Sequence, residues 1–426
     1  MMKKTKMKSL VSTLCAGALM VSALGLGMPK SIQAMDAAEA AAQNVVISEK
    51  AEQEVDASMK ATLQTADFSV ELFRQNLSGQ GNTLISPFSV FFALGMTANG
   101  AEGETLHQME ETLGLSLEEC NAAAQMYLDA RWENDENPLK LANSIWINNR
   151  NDFRVNPNFL KDNADIYQAE VFETVFNQQT AQKINGWIDT KTEGKIPEII
   201  DQVPNNAIMY LANALSFESE WMEPYEKFEV EEGIFHRADG TSQNVEFMNS
   251  EESYYVEDEQ AAGFIKPYAD HRYAFMAVLP NEGVSLEEYI EELDGEKLQQ
   301  MIREPESVLV HASMPKFESD YSVELNQALQ NMGMKDAFSP VLADFSGMGG
   351  GLQKAPLCIS DILHKTFIAV DEQGTKAGAA TVVQMAKTSL LNPEDAKTVN
   401  LDRPFIYMIV DTQNQIPLFM GTVNEI

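Results

Sequence analysis

The chain is poor in cysteine and histidine, and this excludes several kinds of protein. Its 426 residues contain 3 cysteines and 5 histidines. Beyond the N-terminal region only Cys120 and Cys358 remain, too few and too far apart in sequence to form a disulfide framework. We expect both to be free thiols, because a chain of this length buries a large core without cross-links.

The common catalytic motifs are also missing. No His-Glu-x-x-His pair indicates a zinc site, and no Gly-x-Ser-x-Gly turn indicates a serine hydrolase. The stretch Gly347–Gly351 lacks the lysine of a phosphate-binding loop, so we interpret it as a surface turn. Carboxylates are so abundant that no pair stands out as a catalytic dyad. The sequence therefore predicts no enzymatic activity, no metal site and no cofactor.

Basic residues are scarce relative to acidic ones. The full chain has 30 Lys and Arg against 64 Asp and Glu, a net charge of −34. Residues 1–34 contain five lysines and no acid, so the remainder keeps 25 basic and 64 acidic residues, a net charge of −39. Such a charge favours solubility and disfavours nucleic acid, anionic membranes and heparin-like polyanions as partners. We expect a soluble monomer.

The first 34 residues have the pattern of a secretory signal peptide. Lysines near the start precede an apolar run over 9–28, and Ile32–Ala34 offers a small-residue cleavage site. A membrane anchor is the alternative, but Ser, Thr and Gly interrupt the apolar run and no second spanning segment follows. Leu14 is too large to precede a lipid-modified Cys15. We expect a bacterial-type export signal and a secreted, extracellular protein, or one held at the cell surface.

The pattern of the remaining residues predicts a linker followed by one domain. Residues 35–59 are rich in alanine and acids and lack aromatics, which is typical of a flexible linker or a marginal helix. Apolar residues recur at helical spacing from Leu63, and similar patterns occupy 105–113 and 180–194. Strand-like runs dominate the C-terminal half. We therefore predict a single α+β domain over 60–426.

One segment near the C-terminus is held between predicted strands. Phe367–Val370 precedes it, and Pro404–Val410 and Pro417–Val423 follow it as buried strands. The segment between them, 372–403, is roughly thirty residues long, and loops of that length are usually functional or disordered. Its small residues alternate as in a strand, which would let it enter an existing sheet with little obstruction. One face carries Thr375, Ala377, Ala379 and Thr381, and the other carries Lys376, Gly378 and Ala380.

This segment resembles the hinge of the serpins, serine protease inhibitors that insert a reactive loop. The matching hinge residues are Glu372, Gly374, Thr375, Ala377, Ala379 and Thr381. Further serpin-like segments follow in family order over about 60–426: Asn82–Met96, Ala98–Thr105, Ile184–Trp187, Thr192–Ile196, Leu211–Phe217, Met314–Phe317, Gly333–Phe338, Ala343–Ser346 and His364–Lys365. The resemblance implies the serpin fold, a mixed multi-sheet α+β domain with surrounding helices and an exposed reactive-centre loop at about 372–403.

The resemblance also implies a cluster of polar residues that controls opening of the main sheet. The matching positions are Ser86, Ser89, Asn213 and His364, and Trp221 matches the tryptophan where the loop begins to insert. Two hydroxyls, an amide and an imidazole can form a closed hydrogen-bonded cluster that holds two strands together. The plainer interpretation is a set of ordinary buried polar groups, each with its own partner.

Two functions from different classes follow from the resemblance. In the first, a protease attacks the loop, forms an acyl-enzyme and is trapped when the loop inserts, so the intact fold is held kinetically. In the second, the fold has lost insertion and acts as a carrier, chaperone or structural protein. The small residues Thr375, Ala377, Ala379 and Thr381 favour inhibition, because burying an unpaired charge there would cost several kcal/mol. Lys376 and Gly378 depart from the family pattern, but both lie on the other face.

The target class depends on the cleaved bond. Inhibitory serpins place that bond about seventeen residues from the hinge glutamate, which gives Thr388–Ser389 when the count starts at Glu372. A small residue there suits elastase-like serine proteases, whereas the neighbouring bond Lys387–Thr388 suits trypsin-like or subtilisin-like enzymes. The segment Leu390–Val399 is about five residues longer than in familiar serpins, so the count is good to about one residue.

Overall fold

Helices dominate the N-terminal half of the chain, and strands dominate the C-terminal half. The structure is a computed structural model, and it describes residues 59–79, 81–129, 138–149, 153–203, 207–351, 357–375 and 393–426. Helix α1 spans 59–74. The other helices are α2 Pro87–Ala98, α3 Gly103–Leu113, α4 Leu117–Asp129, α5 Pro157–Tyr167, α6 Gln178–Lys191, α7 Leu286–Glu292, α8 Gly295–Arg303 and α9 Asn326–Asn331.

The strands of the described residues form three sheets and one two-stranded pair. The first strands are β1 Leu84–Ile85, β2 Leu139–Asn148, β3 Arg154–Val155, β4 Glu170–Thr174, β5 Met209–Phe217, β6 Ser219–Glu220, β7 Val230–His236, β8 Ser242–Glu257 and β9 Ala261–Pro267. The remaining strands are β10 Tyr273–Pro280, β11 Glu306–Pro315, β12 Phe317–Glu324, β13 Gly349–Gly350, β14 Leu363–Val370, β15 Gly374–Thr375, β16 Lys397–Asn400, β17 Phe405–Asp411 and β18 Ile416–Val423.

Their order places one large sheet beside two smaller ones. The large sheet has the order β1-β18-β17-β10-β9-β8-β11-β16, and β7 pairs with β8. A four-stranded sheet has the order β12-β14-β15-β6, and a three-stranded sheet has the order β4-β2-β5. Strands β17 and β18 are buried along their whole length, as their near-continuous apolar sequences predict. The predicted α+β class is confirmed.

Helix α2 connects the large sheet with the smaller ones. It begins where Ser86 accepts a hydrogen bond from the N–H of Ser89, and Pro87 occupies the first turn. Its apolar side chains are buried almost all round, because it packs against β5 on one side and β18 on the other. The helix therefore brings its N-terminus and Ser86 under the region where the two smaller sheets meet.

The predicted helices end where their stop signals lie. The pattern at 105–113 corresponds to α3, which ends at Gly114 in the left-handed conformation with φ 70°. The pattern at 180–194 corresponds to α6, whose first turn is capped by Asn177 and Thr180. Both ends of the predicted loop segment 372–403 are strands, β15 and β16, and residues 376–392 between them lie outside the described part of the chain.

Candidate strand-insertion site

A gap separates β5 from β14, and we call it the slot. Strand β5 pairs with β2 on its far side, and β14 pairs with β12 on its far side. Among the described residues, no ladder joins β5 to β14 across the slot. A cavity of about 1070 Å³ lies there, lined by both strands and by α2. Two strands separated in this way leave room for one more strand between them.

We call the end of the slot beside β6 its upper end, and β15 occupies this end. Its two residues pair with β14 and with β6, in the register Val370 with Thr375, Thr375 with Ser219 and Gly374 with Glu220. The chain reaches this position through a tight turn from Asp371. The Asp371 carboxylate accepts hydrogen bonds from the N–H groups of Gln373 at 2.8 Å and Gly374 at 3.3 Å. The turn starts a strand that points into the slot.

Gly374 is required by the close approach of β6. A Cβ at this position would overlap the carbonyl oxygen of Ser219 and would lie 2.8 Å from the Cα of Glu220. Both obstacles are backbone atoms that cannot move aside without breaking the β6–β15 pairing. The glycine of the predicted hinge therefore has a steric role at the entry to the slot.

Trp221 and Tyr225 hold the backbone of the turn. The indole Nε1 of Trp221 donates to the carbonyl oxygen of Asp371 at 2.9 Å, and its backbone N–H donates to Gln373 at 2.8 Å. The backbone N–H of Tyr225 donates to the carbonyl oxygen of Glu372 at 2.9 Å. Three successive carbonyl groups of the hinge are thus bound by one short segment. In the structure, Trp221 therefore lies beside the start of the hinge.

The Thr375 side chain is buried beneath the same aromatic residues. It is 1% exposed, and its hydroxyl is hydrogen-bonded to the Tyr268 hydroxyl. The Tyr268 ring stacks on Trp221 with 4.7 Å between centroids and 8° between planes. A small side chain with one hydroxyl fits this position, whereas a charged side chain would lose its hydration there.

An ion pair fixes the other side of the turn. The ammonium group of Lys316 contacts the carboxylate of Glu372 and lies 3.0 Å from that of Glu246. Partial burial opposes ionisation of Glu372, but the hydrogen bond and charge of Lys316 lower the pKa of that carboxyl below its ordinary value. The hinge glutamate is therefore held ionised by Lys316, which lies between β11 and β12 and also contacts Glu246 on β8.

The four polar residues of the predicted cluster come together beside the slot. The backbone N–H of Ser86 donates to Nε2 of His364 at 2.9 Å, and the Ser86 hydroxyl donates to the Leu418 carbonyl at 2.7 Å. The Ser89 hydroxyl donates to the side-chain oxygen of Asn213. Burial lowers the pKa of His364 to about 4, so the imidazole is neutral at neutral pH.

The cluster differs from the closed arrangement that we expected. His364 on β14 and Asn213 on β5 both reach residues at the N-terminus of α2, and the described hydrogen bonds run through Ser86 and Ser89 rather than directly across the slot. The amide of Asn213 turns away from the slot and donates to Asn143 on β2 at 2.7 Å. Each strand is therefore bound to the helix beneath it, which leaves the space between them accessible.

Several predicted residues lie outside the described part of the chain. These are the hinge residues Ala377, Ala379 and Thr381 and the cleavage-site residues Lys387, Thr388 and Ser389. Sequence reasoning missed the hinge partners Tyr225, Tyr268 and Asp371. A signal existed for Asp371, because Asp-x-x-Gly is typical of a turn in which the carboxylate binds following N–H groups. The two tyrosines carry no such local signal.

The lower part of the slot is mostly apolar. Its lining includes Leu211 of β5 and a group of isoleucines from α6 and the residues that follow it: Ile188, Ile196, Ile199 and Ile200.

Cys358 also lines the cavity, and it and Cys120 are free thiols in the structure. Burial raises the pKa of Cys120 to about 12, so that thiol is chemically inert at neutral pH.

Across the described ranges, none of the helices combines the length and apolarity needed to cross a bilayer.

Comparisons with known proteins agree with this geometry. A protein-family model described as "Serpin (serine protease inhibitor)" matches residues 63–426. The crystal structure of the thermophilic serpin tengpin in its native state is similar with a TM-score of 0.79 and 45% sequence identity, covering 86% of this chain and 94% of that chain.

Two curated relatives come from distant organisms. An uncharacterized serpin-like protein of Thermococcus kodakarensis is 28% identical over 370 residues, which is 83% of each chain. The leukocyte elastase inhibitor of Homo sapiens is 31% identical over 358 residues, which is 80% of this chain and 92% of that protein. The family match covers most of the chain, so this protein belongs to the serpin family.

Proposed function

We propose that this serpin is an irreversible suicide inhibitor of extracellular serine proteases. The slot, with the hinge seated at its upper end, is the observation that carries the proposal. In the described part of the chain no ladder joins β5 to β14, so the space between them would accept a strand that continues from β15. The small side chains predicted to follow, Ala377, Ala379 and Thr381, would enter the apolar lower part without burying a charge.

The proposed mechanism begins as an ordinary proteolytic reaction. The hydroxyl oxygen of the protease serine attacks the carbonyl carbon of the residue before the cleaved bond, and the protease histidine takes the proton. The peptide bond breaks, and the amine of the following residue leaves with that proton. The loop stays attached to the protease as an ester. The loop segment between the hinge and this ester then inserts between β5 and β14, and the attached protease is displaced before water hydrolyses the ester.

The target proposal keeps the two bonds predicted from the sequence. Cleavage at Thr388–Ser389 favours elastase-like proteases, and this agrees with the similarity to leukocyte elastase inhibitors. Cleavage at Lys387–Thr388 favours trypsin-like or subtilisin-like proteases. If Thr388 fills the protease pocket, Thr388→Arg abolishes elastase inhibition and creates trypsin inhibition, and Lys387→Ala leaves elastase inhibition unchanged. If Lys387 fills it, Lys387→Ala abolishes trypsin inhibition.

Secretion belongs to the same proposal. An export signal over 1–34 would deliver the inhibitor to the extracellular proteases that it traps, and the net charge of −39 after its removal would keep it soluble there. N-terminal sequencing of protein collected from the culture medium tests this part. A mature N-terminus near residue 35 agrees with it, and retention of the intact N-terminus inside the cell contradicts it.

The proposed activity is tested with a panel of serine proteases and the mature protein. The expected product is a one-to-one covalent complex that survives boiling in detergent, and mass spectrometry should locate the ester within 385–391. A panel that yields only a cleaved chain and fully active protease contradicts inhibition. In that case a carrier, chaperone or structural function becomes the better account of the same fold.

A further inference from the structure

A buried ion pair lies directly behind the residues that hold the hinge. Lys266 on β9 is 2% exposed and Glu252 on β8 is 7% exposed, and 2.8 Å separates the ammonium nitrogen from the carboxylate oxygen. The same oxygen accepts a hydrogen bond from Ser250 at 2.6 Å. A charged pair removed from water needs such additional bonds to offset its desolvation. This arrangement is therefore specific in its geometry.

The ammonium group of Lys266 faces both residues that bind the hinge backbone. Its nitrogen lies 4.4 Å from the ring centroid of Tyr225 and 5.6 Å from that of Trp221. Cation–π contacts strengthen when the cation is shielded from water, as it is here. The indole N–H of Trp221 and the backbone N–H groups of Trp221 and Tyr225 donate hydrogen bonds to the carbonyl groups of Asp371, Gln373 and Glu372. The ion pair and the hinge thus both contact the segment that contains Trp221 and Tyr225.

We propose that the Lys266–Glu252 pair is a positioning element for loop insertion. It keeps Trp221 and Tyr225 in the arrangement that seats β15 between β14 and β6. The inference rests on the proposed inhibitory function, because the seated hinge matters as the starting point of insertion. A seated hinge extends a strand that already exists, whereas a released hinge must first re-form the turn. The insertion rate therefore scales with the seated fraction of molecules.

Stability alone does not explain this pair. Buried ion pairs are often replaced by apolar residues with little loss of stability, so their usual contribution is to fix one arrangement among several. An apolar side chain in place of Lys266 would still fill the space behind Tyr225, but it would leave the rings free to tilt. The directional attraction between the ammonium group and two rings restricts that freedom.

The decisive variant is Lys266→Met combined with Glu252→Gln in the full chain. It shortens the Lys266 side chain by only one atom and removes both charges together, so neither charge is left buried alone. Lys266→Arg is the conservative control, since it retains the cation. A second control, Arg272→Met combined with Asp411→Asn, removes another buried pair whose side chains are 4% and 3% exposed. It shows what the loss of a buried pair does to the fold in general.

Two readouts separate positioning from a merely structural role. Hydrogen exchange at the backbone amides of Trp221 and Tyr225 in the intact protein should be about tenfold faster in the Lys266/Glu252 variant, the effect of losing a desolvated cation–π contact. Both controls should exchange at wild-type rates at these amides. The number of inhibitor molecules consumed per inactivated protease should also rise severalfold in the pair variant, while the rate constant of association stays unchanged.

Wild-type exchange rates in the pair variant would overturn the positioning role, whatever the proteases do. A wild-type protein that forms no covalent complex would overturn the proposed function, and the exchange measurement would still decide the positioning role. If the pair variant does not fold, Tyr225→Leu replaces it, because this change removes the aromatic face and keeps both charges. Faster exchange at the Trp221 amide in Tyr225→Leu supports the proposal, and unchanged exchange contradicts it.

Discussion

The two ends of the slot are built in opposite ways. At the upper end, β15 is paired on both sides, Thr375 is buried, and three hinge carbonyls are bound by Trp221 and Tyr225. In the lower part, β5 and β14 border a cavity of about 1070 Å³, and each is bound to α2 rather than to the other strand. The described residues therefore include the start of an additional strand, β15, at one end of the slot and a cavity at the other.

This contrast indicates that strand pairing is complete at the upper end of the slot, whereas among the described residues no ladder joins β5 to β14 below it. A cavity of this size between two strands is unfavourable, and native interiors rarely keep one. A barrier that prevents the loop from entering would preserve this state for a functional purpose. Substitutions at the upper end of the slot and in the polar cluster test this contrast.

The largest effect is expected from Thr375→Arg at the upper end. The guanidinium group would replace a 1% exposed hydroxyl beneath Tyr268 and Trp221, so its charge would lose its hydration. The hinge should leave the sheet, and insertion should become slower than hydrolysis of the ester. Titration of protease with the variant should show inhibition reduced by about tenfold or more, with cleavage at the same bond. Undiminished inhibition would mean that Thr375 does not need to stay buried.

A smaller effect is expected from Gly374→Ala. The added methyl group would overlap the Ser219 carbonyl, and it tests the close approach of β6 without introducing charge. We expect a severalfold rise in the amount of inhibitor consumed per protease and faster hydrogen exchange at β15. Gly186→Ala in α6 is the matched control, because a Cβ there meets no atom within 4 Å. Equal behaviour of the two alanine variants would contradict the steric role of Gly374.

A further effect, on stability rather than on inhibition, concerns His364 and appears only in acid. The folded-state pKa of about 4 lies below the ordinary value of 6.5, so the folded protein binds the proton less well than the unfolded chain. The contribution of the neutral imidazole is fully present above pH 6.5 and is lost as the pH falls toward 4, by about 3 kcal/mol in all.

The check is a comparison of denaturant unfolding across this pH range. His364→Gln should flatten the difference between pH 6.5 and pH 4, because glutamine does not titrate. His311→Gln is the control, since that side chain is 53% exposed. Identical pH profiles for wild type and His364→Gln would show that protonation of this residue does not weaken the cluster.

The sequence predicts the regular elements well, because each has a local pattern. Helical spacing and a glycine stop define α3, and two apolar runs define β17 and β18, which are indeed buried throughout. The hinge was also predictable, since Gly374 and Thr375 belong to a compact motif. Their buried positions in β15 agree with the interpretation of small residues that enter a sheet.

The partners of the hinge were not predictable from local patterns. Tyr268 reaches Thr375 across 107 positions, and Trp221 reaches Asp371 across 150 positions. Such contacts depend on how three sheets pack, and no spacing rule within one segment describes them. The same reason explains the polar cluster. The residue types indicated hydrogen bonding, but only the packing of α2 beneath both strands decides that the bonds run through the helix.

The most direct test of insertion compares the thermal stability of the intact protein with that of the protein cleaved in its loop. Cleavage frees the segment after Thr375 to continue β15 down the slot, where it would pair with β5 and β14 and fill the apolar cavity. We predict that the cleaved form melts higher than the intact form by roughly 10 °C or more. A cleaved form that melts at or below the intact midpoint would contradict loop insertion and with it the inhibitory mechanism.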